Sequence, residues 1–116
     1  MKTADEMFKE LDYKKYDNHP EEDYPPEPNT WTTQDERVIE YTQTGEVNGM
    51  PAREVIKFYP MRKNVIVSAV VGIRPTIVPL SIEEIQAIYK KCEELRYLDW
   101  QNIYYKFYMI INKLYI

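Results

Sequence analysis

A chain of 116 residues, 44% of them hydrophobic, is long enough for one domain with a single modest core. Its net charge of −4 has the wrong sign for a general nucleic-acid binder, which presents a basic face, so no direct nucleic-acid contact is expected. A lone cysteine, Cys92, excludes an intramolecular disulfide and any thiolate cluster.

The opening, Met1 to Glu6, has no apolar run and carries acids early, unlike a secretory leader. The most apolar stretch, the tail, is interrupted by Asn102, Lys106, Asn112 and Lys113. That is too broken for a membrane span, which takes about 20 apolar residues. A cytoplasmic protein without membrane contact is the expectation.

Thr3-Ala-Asp-Glu6 reads as a capping box: a hydroxyl accepts from the N–H three residues on, and the glutamate reaches back. Ala4, Met7, Phe8 and Leu11 follow at helical spacing, so the first helix is predicted within residues 1–13, with Lys9 and Glu10 facing out. Residues 14–36 read as an acidic, proline-rich loop. Pro20, Pro25, Pro26 and Pro28 forbid a regular ladder or helix interior, and Trp31 is its one large apolar anchor.

Residues 37–78 read as antiparallel sheet. Asn48-Gly49 marks a type I′ hairpin turn, which needs positive φ at both central positions. That turn sets Ile39 opposite Phe58, Tyr41 opposite Ile56, Glu40 opposite Lys57, Val38 opposite Tyr59 and Thr42 opposite Val55. Pro60-Met-Arg-Lys63 makes the next turn. Asn64 to Val71 is apolar at nearly every position and so reads as the best-covered strand, ended by Gly72. Thr76-Ile-Val78, between two prolines, reads as a short edge strand.

Ser81-Ile-Glu-Glu84 is a second capping box and opens a helix over residues 81–98. Ile82, Ile85, Ile88, Tyr89, Cys92 and Leu95 form its expected buried stripe, with Glu83, Glu84, Lys90, Lys91, Glu93 and Glu94 solvated. In the tail, residues 99–116, Trp100, Ile103, Tyr104, Phe107, Ile110, Ile111 and Leu114 keep helical spacing behind Asp99 as a cap. A strand is the alternative there, because many of these residues are β-branched or aromatic. The pattern as a whole predicts an α+β fold: a three- or four-stranded antiparallel meander with N-terminal and C-terminal helices packed on one face. Ile39, Tyr41, Ile56, Phe58, Val65, Val67 and Ala69 should meet helices built from Phe8, Leu11, Ile85, Ile88 and Leu95.

Sequence motifs for chemistry are sparse. Gly45, Gly49 and Gly72 are too scattered for a phosphate-cradling loop. One histidine and one cysteine, far apart, do not make a zinc site. Ser68 falls in a strand and Ser81 is a cap, so neither pairs with His19 as a nucleophile. Cys92 sits on an apolar stripe and reads as a structural thiol. His19 beside Glu21, Glu22 and Asp23 reads as polar loop rather than a cation site. Arg53, Arg62, Lys63 and Arg74 near the turns are accounted for by solubility. No catalytic residue, cofactor or metal ligand is assigned.

Two features point to protein partners instead. Residues 16–36 carry seven acids and no Lys or Arg, leaving the remainder at about +3. Asp17, Glu21, Glu22, Asp23 and Glu27 could imitate a phosphate backbone towards a basic groove. Tyrosine is the second feature, with 11 in the chain. Trp100, Tyr104, Phe107, Tyr108 and Ile111 in the tail offer a contact surface of the kind protein interfaces favour. The alternative is that this stripe is core. The expected function is a non-enzymatic interaction module that binds a protein partner or a second copy through its tail. The alternative is an acidic inhibitor of a nucleic-acid-handling protein such as a defence nuclease.

Lys2-Thr-Ala-Asp-Glu-Met-Phe-Lys-Glu-Leu-Asp-Tyr13 and Leu80-Ser-Ile-Glu-Glu-Ile-Gln-Ala-Ile88, with an aromatic like Trp100 further on, resemble a loose group of short uncharacterised proteins. These occur in phages, prophages and other mobile elements of low-GC Gram-positive bacteria. The resemblance covers about a quarter of the chain and departs at the proline-acid segment and after Trp100. It implies a mobile-element origin, where small acidic inhibitors of host nucleases recur, and transfers no site residues.

Overall fold

The computed structural model of the protein describes residues 1–20, 36–77 and 79–97. Helix α1 (Ala4–Glu10) is followed by strands β1 (Lys14–Asp17), β2 (Ile39–Val47), β3 (Met50–Tyr59), β4 (Asn64–Val71) and β5 (Arg74–Thr76), then helix α2 (Ile82–Glu94). The five strands form one antiparallel sheet in sequential order, a meander. Both helices lie on one face of it, since Phe8 of α1 and Ala87 of α2 share a core cluster with Ile39, Tyr41, Ile56 and Phe58. The fold is α+β as expected, with five strands rather than three or four.

The extra strand comes from residues assigned to the loop. Lys14 to Asp17 pair with Thr42 to Ile39 and so close the β2 edge. The edge they leave is short and rich in lysine, as exposed edges tend to be. At the other side β5 runs over Arg74–Thr76, displaced from the expected Thr76–Val78.

The hairpin register is as the turn demanded: Ile39↔Phe58, Glu40↔Lys57, Tyr41↔Ile56 and Thr42↔Val55. Asn48 has φ 52° and Gly49 φ 81°, the left-handed pair a type I′ turn requires. β4, however, is not the best-covered strand. Ala69 is its one buried residue, while Ile66 is 49% and Val67 40% exposed. The core is centred on β2 and β3, where the fully buried Tyr41, Ile39, Ile56 and Phe58 lie. A run of β-branched residues reports fit to a pleated strand, not burial.

Each helix begins with a complete capping box. The Glu6 N–H donates to Thr3 Oγ1 at 3.2 Å, and the Glu84 N–H to Ser81 Oγ at 3.1 Å. Each also ends alike, with a left-handed residue and a six-to-one hydrogen bond. Asp12 (φ 66°) sits before the Tyr13 N–H, which donates to Phe8 O at 3.0 Å. Arg96 (φ 60°) sits before the Tyr97 N–H, which donates to Cys92 O at 2.9 Å. This is the Schellman arrangement, here without glycine.

Candidate functional site

α2 was expected to bury Ile82, Ile85, Ile88, Tyr89, Cys92 and Leu95. Instead Ala87, Lys91 and Leu95 are buried, and Ile88 and Cys92 are packed at the core's margin. Ile82 (66%), Ile85 (48%) and Tyr89 (46%) are exposed. With 3.6 residues per turn, the buried arc is rotated by roughly 90° from the centre of the apolar stripe. The helix thus carries one wide apolar arc. One edge faces the core and the other faces away.

Polar contacts account for that rotation. Lys91, 7% exposed, reaches Asp5 Oδ1 of α1 at 3.4 Å and Glu94 Oε1 at 3.7 Å, and its ammonium stands 5.9 Å from the Tyr41 ring centre. Asp5 also accepts from the Tyr41 hydroxyl and from Lys15 at 2.7 Å. Glu94 Oε2 in turn accepts from the Ala4 N–H at 2.8 Å. A buried ammonium is tolerated only when paired, so Lys91 fixes which side of α2 meets α1. Burial works against ionising Asp5, but donors Lys15 and Tyr41 and the charge of Lys91 more than offset it. The Asp5 carboxyl is held below its usual value. Burial and the bond to Asp5 push the Tyr41 hydroxyl upward.

The side of α2 turned away from this clamp forms, with α1, a cleft of about 560 Å³ lined by Met1, Lys2, Met7, Ile85, Gln86, Tyr89 and Lys90. Methionines and a tyrosine give it an adaptable apolar floor, and two lysines stand at its rim. Lys2 is drawn to Glu10 at 2.8 Å, which leaves the floor open. This cleft, whose lining is mainly apolar, is the candidate interaction surface.

The other expected sites fare differently. Asp17, expected to face a partner from the acidic loop, belongs to β1. Its carboxylate is 4% exposed and paired with Arg37 at 2.8 Å. Burial opposes that charge, and Arg37 with the His19 backbone N–H lowers its proton affinity overall. Asp17 is therefore structural and cannot meet a partner. Glu36, from the same acidic run, pairs with Arg62 at 2.8 Å. Glu21, Glu22, Asp23 and Glu27, with Trp31, lie outside the described residues, as do Trp100, Tyr104, Phe107, Tyr108 and Ile111 of the tail. Among the described residues no group of three or more His, Cys, Asp and Glu side chains could hold a metal ion. Burial pushes the Cys92 thiol up, away from a reactive thiolate. Ser68 is within β4 and Ser81 is occupied as a cap. Among the described residues no helix is long and apolar enough to cross a membrane.

Sequence reasoning missed Lys91, Asp5 and Tyr41 as a unit. A lysine flanked by Lys90, Cys92 and Glu93 carries no mark of burial, and its partner lies 86 positions away in sequence. Compared with protein-family models, curated proteins and solved structures, the chain matches none.

Proposed function

We propose that this protein is a non-enzymatic interaction module that pairs with a second copy of itself through the outer side of α2 and the aromatic tail. The observation that carries the proposal is the outward edge of the α2 arc: Ile82, Ile85 and Tyr89, at helical spacing and all exposed. Large apolar side chains grouped beside an apolar cleft are a feature of contact surfaces. The charges on that side favour a copy in reverse. An antiparallel pairing centred between Gln86 and Ala87 sets Glu83 of one α2 beside Lys90 of the other and opposes the two helix dipoles. Three side chains fall short of the ~800 Å² each partner buries in a standard interface. The tail stripe, Trp100, Tyr104, Phe107, Tyr108 and Ile111, supplies the remainder in this proposal. Reactive residue types in the described part serve structure instead, as Ser81 and Cys92 do. The resemblance of the opening and of Leu80 to Ile88 to mobile-element proteins accords with a small accessory role.

Light scattering after size exclusion tests this on the full chain. The wild type should elute at twice the monomer mass, and Ile85→Lys and Phe107→Ser should each shift it to monomer without lowering the unfolding midpoint of the monomer. A wild type that is monomeric at high concentration removes the proposal.

A further inference from the structure

A second feature lies on the opposite, sheet-facing side of α2's first turn and is independent of the pairing surface. Glu54 stands on the helix-facing side of β3, in line with Ile56 and Phe58, and its ladder neighbours are Gln43 and Ala69. From α2, Glu84 faces it, and from the turn after α1, Tyr13. The three side chains are within hydrogen-bonding reach of one another. Glu84 is well supplied with donors: Oε1 accepts from the Ser81 N–H at 2.9 Å, and Oε2 accepts from the Tyr13 hydroxyl. Glu54 is not, and its Oε1 is sealed from solvent with no donor. Among the described residues, Glu84 and Tyr13 are the charged and titratable groups that face Glu54. The other strands bring Gln43, Ala69 and Thr76. A cleft of about 240 Å³ lined by Glu54, Val67, Ser68, Ala69, Thr76, Ile77 and Leu80 opens beside the carboxyl. It brings solvent up to the Glu54 side of the pair, next to the sealed oxygen.

We propose that Glu54 and Glu84 share one proton and act as a pH-operated latch between the first turn of α2 and the sheet. Glu54 carries the proton and donates its O–H to the Glu84 carboxylate. When that proton leaves through the cleft to water, two negative charges face each other and the contact turns repulsive. Two carboxyls in one site cannot both ionise freely, because each charge disfavours the other. Burial first, then the Glu84 charge, raises the Glu54 carboxyl above its ordinary 4.5. Glu84 is lowered: its donors Ser81 and Tyr13 overcome its own burial.

The direction of the effect follows from linkage. The folded chain holds the Glu54 proton more tightly than the unfolded chain. Its contribution to stability is therefore whole below pH 4.5 and is lost as pH rises through the raised value. Asp5, Asp17 and Glu84 act the other way, losing their contribution as pH falls. Comparing the wild type with Glu54→Gln cancels Asp5 and Asp17, whose shifts do not involve Glu54, and reads the Glu54–Glu84 pair as one unit. The urea midpoints of the two should draw apart between pH 4 and pH 8, with the wild type falling relative to the variant. Each unit by which Glu54 is raised makes that a tenfold change in the folding equilibrium. Carbon-13 NMR of the Glu54 side-chain carboxyl in the unmodified protein gives a second reading that needs no variant to fold. It should titrate above 4.5, and Glu84→Gln should bring it back towards that value. Midpoints that run parallel across the range, or a Glu54 carboxyl titrating at or below 4.5, overturn the latch.

Discussion

Helix α1 buries Ala4 and Phe8 completely in 7 residues, while α2, with 13, buries Ala87 and a lysine and leaves Ile82, Ile85 and Tyr89 exposed. Both open on a capping box and close on a Schellman turn, so the difference is not in their ends. It lies in what sits on the inner face. Phe8 stacks on Tyr41 at 3.9 Å between ring centres and meets Phe58 and Tyr13 edge-on, so α1 is held by aromatic packing. α2 contributes Ala87 to the core, with Ile88 and Cys92 at its margin, and is oriented by Lys91 to Asp5 and by Glu84 to Tyr13, contacts that do not cover the rest of its apolar arc. A helix set by polar contacts can keep an apolar side for something else.

The largest expected effect separates those two modes. Phe8→Ala opens a cavity against Tyr41 and Phe58 and should cost about 3–5 kcal/mol in urea unfolding. Tyr89→Ala, on the exposed arc, should change monomer stability by no more than about 0.5 kcal/mol. Comparable losses would mean that the outer side of α2 is core after all.

Lys91→Ala comes next. It leaves Asp5 and Glu94 without their shared cation, and with both partners partly exposed the loss should be about 1–3 kcal/mol. Lys90→Ala, one residue earlier and at the cleft rim, should fall within about 0.5 kcal/mol. Equal effects at the two positions would break the claim that Lys91 sets the helix rotation.

Much of this contrast was out of reach of the sequence. Caps, the Asn48-Gly49 turn and the Ile39-to-Phe58 register are local rules or follow from one turn, and they were legible. The rotation of α2 was not. An apolar arc wide enough to include both Ile82 and Leu95 allows several orientations, and the choice rests on Asp5, far away in the chain. β1 was hidden for a related reason: Lys14-Lys-Tyr-Asp17 has no strand pattern of its own and is recruited by the free edge of β2. The burial of Asp17 against Arg37 was equally non-local. Asp12 tolerates the left-handed cap it occupies, whereas Arg96 gives no such hint.

The caps should behave alike despite the different packing. Thr3→Ala and Ser81→Ala should each cost about 1 kcal/mol. A much larger loss at Ser81 would show that the cap also holds Glu84 in place for Tyr13 and Glu54.

The smallest effect bears on the pairing itself, and sedimentation equilibrium on charge-swapped full-length chains reads it. If two copies meet antiparallel about the point between Gln86 and Ala87, Glu83→Lys and Lys90→Glu should each weaken dimerisation several-fold by opposing like charges, worth roughly 0.5 kcal/mol per pair. Combining both swaps should restore the wild-type constant. A double variant no tighter than the singles, or a wild type that sediments as monomer throughout, would contradict the assignment of α2's outer side as the pairing surface.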